Sequence, residues 1–139
     1  MHISEHYPAF AQKTLLVLTN NELAKLFALD DREIIAHSVI ETSELEPVER
    51  ETRPNGTGMP DLDAAKQHRR LELYHALSNA LQELTRDEFV DIILCVPEAN
   101  KNELVDALHT DVVKHIISTI PKNLASMELP QVMRILFET

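Results

Sequence analysis

The stretch Phe89-Val90-Asp91-Ile92-Ile93-Leu94-Cys95-Val96 decides the fold class, because it is apolar at nearly every position and ends at Pro97. A short continuous apolar run bounded by polar residues and a proline is typical of a strand buried on both faces. We therefore predict a central strand over residues 89–96. Helical patterns precede and follow it, so the second half of the chain predicts a crossover and parallel strand pairing.

Three further patterns follow the central strand. They predict a helix over Glu98–His109, a strand over Asp111–Ser118 and a helix over Leu124–Phe137, interrupted or begun again at Pro130. The first half of the chain instead carries three short strand patterns with turn residues between them, at Thr14–Thr19, Glu22–Leu29 and Glu33–Ile40. Strands joined by tight turns predict an antiparallel meander.

Together the two halves predict one α/β domain over residues 1–139, with a mixed five-stranded sheet and about three helices. Residues 1–12 show no periodicity and predict a flexible lead-in or a short helix. Residues 43–61 combine an acidic stretch with Pro54-Asn55-Gly56-Thr57-Gly58-Met59-Pro60, which holds the only two glycines of the chain. We predict a mobile loop over residues 43–61.

The longest helical pattern follows this loop, with Asp61 or Asp63 as its cap and its end at about Leu84 or Thr85. Seven positions at helical spacing share one face: Leu62, Lys66, Arg69, Leu73, Leu77, Ala80 and Leu84. The last four are apolar, whereas Lys66 and Arg69 are basic. This change predicts that the helix leaves the core near its start.

The candidate binding residues are the loop and the basic start of this helix: Gly56, Thr57, Gly58, Met59, Lys66, His68, Arg69 and Arg70. Loop backbone and cations that converge at a helix start favour contact with a phosphate backbone. The alternative interpretation is that the cations pair with nearby glutamates and the loop is a linker.

The amino-acid composition limits the classes of function that the chain can have. The chain has 139 residues, 44% of them apolar, and a formal net charge of −10. That charge argues against general affinity for phosphate backbones but leaves room for a local basic patch. No apolar run approaches the ~18 residues of a membrane span, and the N-terminus lacks a signal-peptide pattern. A single cysteine, Cys95, excludes an intramolecular disulfide and fits a reducing compartment. We predict a cytoplasmic protein.

No pattern of catalytic residues is present: there is no nucleophile elbow, phosphate-binding glycine loop or paired-cysteine motif. Cys95 lies in an apolar strand and predicts a small core residue rather than a nucleophile. His2 and His6 stand four residues apart, but a metal site needs three or four ligands. We therefore predict no catalytic residues, no metal and no cofactor, and a protein that is not an enzyme.

Three segments resemble the bacterial host attachment protein family: Leu15–Leu29, Ile92–Pro97 with Glu103-Leu104 in the helix that follows, and Ile120–Leu124. Members of that family are relatives of the middle, catalytic domain of archaeal and eukaryotic class I peptide chain release factors. The resemblance covers nearly the whole chain. It implies a ribonuclease-H-like domain with a mixed sheet, in agreement with the topology predicted from the residues.

In those release factors a Gly-Gly-Gln loop precedes a long basic helix and enters the peptidyl-transferase centre of the ribosome. Gly56-Thr57-Gly58-Met59 stands at the like position, with Met59 in place of the glutamine and Thr57 displacing one glycine. The resemblance thus implies ribosome binding without peptidyl-tRNA hydrolysis. We predict a non-enzymatic, translation-related domain whose partners are the ribosome, rRNA or tRNA. The alternative is a protein-interaction or host-attachment-linked factor that acts as a homo-oligomer through its acidic surface.

Overall fold

The computed structural model describes residues 1–42 and 62–138. Within those residues five strands and four α-helices follow one another along the chain. They are β1 (Phe10–Thr19), β2 (Leu23–Asp31), β3 (Glu33–Glu41), α1 (Leu62–Asp87), β4 (Asp91–Cys95), α2 (Lys101–Ala107), α3 (Thr110–Val113), β5 (Ile116–Ile120) and α4 (Leu129–Glu138). A short 3-10 helix, Glu98–Asn100, leads into α2.

The five strands form one mixed sheet in the order β3-β2-β1-β4-β5. β1 pairs with β2, and β2 with β3, in antiparallel register, so the predicted meander is confirmed. β4 lies parallel to β1 on one side and to β5 on the other. The α/β class and the mixed five-stranded sheet predicted from the sequence are therefore confirmed, with β1 and β4 at its centre.

The sheet separates two hydrophobic clusters because successive strand residues point to opposite faces. On one face, Leu15 and Val17 pack with the side of the sheet covered by α1, α2 and α3. On the other face, Leu16 and Leu18 pack with α4 and the N-terminal segment, where Ile3 is buried. This arrangement buries residues 14–19 of β1 and most of β4 on both sides, which explains why these stretches are apolar without alternation.

Two predicted boundaries in the second half are wrong. The strand predicted over Asp111–Ser118 is a helical turn, α3, in its first part, and β5 begins only at Ile116. His109 precedes α3, and its Nδ1 accepts a hydrogen bond from the Asp111 N–H. This side-chain cap satisfies a backbone N–H that a strand would have paired with its neighbour. The cap therefore favours a helical turn over a strand at this position.

The last helix also starts later than predicted. Residues 124–128 lie outside the helix, with a turn at Ala125 and Ser126, and Leu124 and Ala125 are buried there in the second hydrophobic cluster. α4 begins at Leu129, with Pro130 in its first turn, where the missing N–H of proline leaves no helical hydrogen bond unmade. Apolar residues ahead of Pro130 therefore belong to a buried turn, although they continue the helical pattern.

The segment predicted as a flexible lead-in contacts the edge of the sheet. The Ile34 N–H donates to the Met1 carbonyl, and the Ile3 N–H donates to the Arg32 carbonyl. β1 begins at Phe10, four residues before the predicted strand. The mobility of residues 1–12 stays a prediction, and the loop predicted over residues 43–61 lies outside the described residues.

None of the helices in the described ranges combines the length and the apolar character needed to cross a membrane.

Candidate functional site

α1 changes from a buried to an exposed helix along its length. Leu73 and Leu77 are fully buried, whereas Lys66 and Arg69, on the same helical face, are exposed. The predicted exit of the helix from the core is thus confirmed.

The exposed start of α1 forms one wall of a cleft of about 540 Å³ beside the carboxyl end of β1. Among the described residues the helix wall consists of Lys66, Arg69 and Arg70. The opposite wall comes from the β1–β2 turn and the end of β3, and is lined by Asn21, Glu22, Leu23, Glu41 and Thr42. Ligands of open α/β sheets bind at this edge of the sheet, where parallel strands end.

Hydrogen bonds fix the turn that carries Glu22. The Asn20 Oδ1 accepts from the backbone N–H groups of Glu22 and Leu23, at 2.7 and 2.9 Å. The Glu22 carbonyl accepts from the Thr42 N–H at 2.9 Å, which ties the turn to the end of β3. An asparagine that bonds the backbone two and three residues ahead stabilises a turn without regular pairing. The sheet wall of the cleft is therefore rigid at Glu22.

Arg70 differs from the other two cations of the cleft because it forms an ion pair with Glu103 of α2. Its Nε donates to Oε1 at 2.5 Å and its Nη2 donates to Oε2 at 3.1 Å. The hydrogen bonds to this carboxylate raise the pKa of the Arg70 guanidinium above its ordinary value, which burial partly offsets. Arg70 thus lines the cleft with two of its five N–H donors bonded to Glu103 and its charge balanced by that carboxylate.

His68 and Glu72 form a second contact on the same helix. The His68 Nε2 lies 2.8 Å from the Glu72 Oε1, one turn along, without the alignment of a hydrogen bond. Lys66 and Arg69 differ from both neighbours, because no carboxylate of the described residues lies within ion-pair distance of either. Lys66 and Arg69 are thus two exposed cations, three residues apart, with no ion pair to another described residue.

The structure brings Lys66, Arg69 and Arg70 to one cleft, whereas Gly56, Thr57, Gly58 and Met59 lie outside the described residues. Two acidic residues that shape the site were not singled out from the sequence: Glu22, which lines the cleft, and Glu103, which pairs with Arg70. The turn pattern Asn20-Asn21 could have indicated Glu22, because the residues of that turn lie at the same edge of the sheet as the start of the helix. No pattern could have indicated Glu103, because its pairing with Arg70 joins residues 33 positions apart.

The described residues offer little for covalent or metal chemistry. No three His, Cys, Asp or Glu side chains within residues 1–42 and 62–138 converge as metal ligands. Cys95 is fully buried on the α4 face of the sheet, and burial raises the pKa of its thiol to about 12. A thiol with that pKa holds its proton at neutral pH, so it has no thiolate for nucleophilic attack.

No protein-family model matches the sequence, and no curated protein matches it. A solved structure of Dom34 from S. cerevisiae has the same fold, with a TM-score of 0.53 at 17% identity over 91% of this chain. A second, selenomethionine-labelled structure of Dom34 aligns with a TM-score of 0.45 at 15% identity, over 88% of this chain and 34% of the other. Dom34 is described as a translation termination-like factor involved in RNA quality control pathways and interacting with Hbs1.

This chain spans about a third of the length of Dom34, since the alignment covers 33% of that chain. The likeness establishes a shared fold, and the release-factor-like architecture predicted from the sequence is confirmed at that level. Membership in the host attachment protein family stays a prediction.

Proposed function

We propose that this chain is a non-enzymatic, translation-related domain that binds ribosomal RNA or tRNA through the basic wall of the cleft. The observation that carries the proposal is the pair Lys66 and Arg69. Both side chains are exposed on adjacent turns of α1, and neither has a carboxylate partner among the described residues. Arg70 and His68, which have carboxylate neighbours, play a smaller part.

Phosphate is the group that such a pair binds best. Arginine and lysine neutralise phosphate charge, and their binding to RNA weakens as salt rises because counterions are released. The positive end of the α1 dipole lies on the same side as the two cations and adds to the local potential. Since the whole chain carries a net charge of −10, the local patch would select RNA that enters the cleft over duplex backbones at large.

The fold supports a role in translation, because Dom34 is a translation termination-like factor of the same architecture. The loop ahead of α1 reads Gly56-Thr57-Gly58-Met59 and lacks an intact Gly-Gly-Gln motif. We therefore place the function in binding rather than in hydrolysis of peptidyl-tRNA. The same proposal includes association with the ribosome and a location in the cytoplasm.

The test is sedimentation of the tagged protein with ribosomal particles on sucrose gradients at 50 and 200 mM salt. The Lys66→Ala/Arg69→Ala double variant should lose co-sedimentation. Arg86→Ala is the matched control: it removes a cation from the same helix 17 residues after Arg69, or about 26 Å along the axis. Two phosphate contacts correspond to a roughly sevenfold weakening between the two salt concentrations.

Three results bear on the proposal. Co-sedimentation of the wild type that the double variant loses and the Arg86→Ala control retains would support it. Equal co-sedimentation of wild type and double variant would overturn the role of the cleft. Migration of the wild type as a free small protein at both salt concentrations would overturn the proposal as a whole.

A second candidate function is association of copies of this chain, as predicted for a protein-interaction or host-attachment-linked factor. The favouring observation is the edge strand β3. Residues 1–3 pair with its start, but no described strand lies beside its remainder, where Ile35 and Val39 are 63% and 48% exposed. Exposed apolar edges favour strand pairing between chains, whereas two acidic surfaces repel each other.

Light scattering distinguishes this candidate. A dimer that Val39→Lys dissociates would favour it, provided that Ile117→Lys, on the opposite edge strand β5, leaves the dimer intact. A monomer at all concentrations would exclude it.

A further inference from the structure

We infer that the cleft takes one unpaired nucleotide of a single-stranded RNA and prefers guanine. In this assignment a phosphate adjoining the nucleotide binds Lys66 and Arg69, and the donor edge of the base binds the carboxylate of Glu22. The inference rests on the proposed function, because it specifies the ligand of the same cleft. It goes beyond that function by assigning a base preference to a residue on the sheet wall.

The two walls of the cleft carry charges of opposite sign. The helix wall carries the exposed cations Lys66 and Arg69, whereas the sheet wall carries Glu22, an exposed acidic residue. A ligand made only of phosphates would meet repulsion at the sheet wall. The cleft is complementary to a ligand that is anionic at one end and carries N–H donors at the other, and a nucleotide has this character.

The size of the cleft supports a ligand of this scale. Its volume of about 540 Å³ lies within the range of small-molecule sites, which is roughly 300–1,000 Å³. Sequence-specific RNA recognition uses unpaired bases whose Watson–Crick edges are free, because the grooves of A-form helices are hard to read. A single splayed nucleotide is therefore the RNA element that fits the cleft.

The carboxylate selects among the bases. Guanine presents two adjacent donors, N1–H and the N2 amino group, which match the two oxygens of one carboxylate. Uracil presents a single N3–H between two carbonyl oxygens, which a carboxylate repels. Adenine and cytosine each present one amino group beside a ring-nitrogen acceptor. The expected order of affinity is guanine first, adenine and cytosine next, and uracil last.

Glu22 is suited to this role because its backbone is held from both sides. The Asn20 side chain accepts from its N–H, and its carbonyl accepts from the Thr42 N–H. A charged side chain whose backbone is already fixed loses less conformational freedom when it binds a ligand. More of its hydrogen-bond energy therefore appears as affinity. We therefore assign base selection to Glu22 ahead of Glu41.

The test is fluorescence anisotropy with labelled nine-nucleotide RNAs at a single low salt concentration. One RNA is all uridine, one has guanosine at its centre, and one has inosine there, which lacks only the N2 amino group. Wild type should bind the guanosine RNA about tenfold more tightly than the uridine RNA, with the inosine RNA between them. Glu22→Gln should abolish this preference without weakening binding of the uridine RNA.

Glu83→Gln is the matched control, because it removes one exposed carboxylate from α1 away from the cleft and changes net charge equally. It should retain the preference for guanosine. A preference that survives Glu22→Gln would overturn the assignment of Glu22. Equal binding of all three RNAs by wild type, weakened by Lys66→Ala/Arg69→Ala, would overturn the base preference but leave the proposed function standing. Absence of binding to any RNA would overturn both.

Discussion

Arg70 of α1 and Glu103 of α2 are joined side by side, with Nε 2.5 Å from Oε1 and Nη2 3.1 Å from Oε2. Both side chains are partly buried, with 20% and 31% of their surface exposed. Two parallel hydrogen bonds to one carboxylate fix both distance and orientation. The pair therefore locks the basic part of α1 onto α2, and it divides the three cations of the cleft into one structural and two available residues.

Removal of one member of this pair should destabilise the fold. We expect Glu103→Gln to lower the free energy of unfolding by about 1–2 kcal/mol, because the partly buried guanidinium loses its charged partner. Urea unfolding of Glu103→Gln, Arg70→Met and the double variant measures the coupling. Strictly additive effects of the two single variants would contradict the interaction described above.

Arg70 should contribute less to RNA binding than its two neighbours. Since Glu103 balances its charge and takes two of its five N–H donors, we expect Arg70→Met to weaken RNA affinity no more than about twofold. Lys66→Ala and Arg69→Ala should each weaken it several-fold, in line with the loss of one phosphate contact. Anisotropy with the uridine RNA compares all three. An Arg70→Met loss equal to that of Lys66→Ala would show that the guanidinium exchanges Glu103 for phosphate.

Tyr74 offers a stabilising substitution. Its ring is fully buried, and its hydroxyl has no hydrogen-bond partner among the described residues. A buried hydroxyl without a partner loses its hydration and gains nothing in return. We expect Tyr74→Phe to raise the free energy of unfolding by about 1 kcal/mol, measured by urea unfolding. Tyr7→Phe, at a half-buried ring stacked on Phe137, is the control and should change little. A less stable Tyr74→Phe would reveal a partner for the hydroxyl.

Stability should fall at alkaline pH. Burial raises the pKa of Tyr74 from 10.0 to about 12 and that of the Cys95 thiol from 9.0 to about 12. The unfolded chain therefore releases these protons first, so stability present below pH 9 is lost progressively between pH 9 and 12. Between pH 8 and 10 the loss is roughly 2 kcal/mol, mostly from Cys95.

Urea unfolding at pH 8 and pH 10 measures this loss. Cys95→Ala should remove most of the difference between the two pH values, whatever its own effect at pH 8. An undiminished difference in Cys95→Ala would assign the alkaline loss to other groups.

Ser78 should matter more than its small size indicates. It is 6% exposed, and its Oγ accepts a hydrogen bond from the His109 N–H at 2.9 Å. We expect Ser78→Ala to lower the free energy of unfolding by about 1–2 kcal/mol, because the His109 donor loses its partner. Asn79→Ala, at the next and exposed position, corrects for the higher helix propensity of alanine. Equal thermal midpoints for the two variants would contradict this role.

The sequence by itself determined two kinds of element: strands that are buried on both faces, and a helix long enough to repeat its pattern several times. The second half of β1 and nearly all of β4 are buried on both faces, so their continuous apolar runs predicted a buried strand at Thr14–Thr19 and a central strand at 89–96. α1 was predicted over most of its 26 residues, because a long helix repeats its pattern often enough to be distinctive. The change from Leu73 to Arg69 and Lys66 on one face also predicted where α1 leaves the core.

The sequence did not determine the structure of short segments whose residue pattern fits more than one kind of local structure. Asp111–Ser118 carries four β-branched residues, which favour a strand. Its first part is nevertheless α3, where the Asp111 N–H donates to the His109 side chain. Leu124 and Ala125 extend the helical pattern of α4, but they are buried in the turn before Pro130. A few residues of pattern cannot separate these cases, because burial by distant elements decides between them.

Only the tertiary structure decided how the candidate residues differ. Lys66, Arg69 and Arg70 are equivalent in the sequence, as three cations at the start of a helix. Folding places Glu103 against Arg70 and brings Glu22 to the opposite wall of the cleft. Ion pairs between residues far apart in the chain depend on how helices pack on the sheet, so local spacing determined the cations, and packing determined which of them remain available.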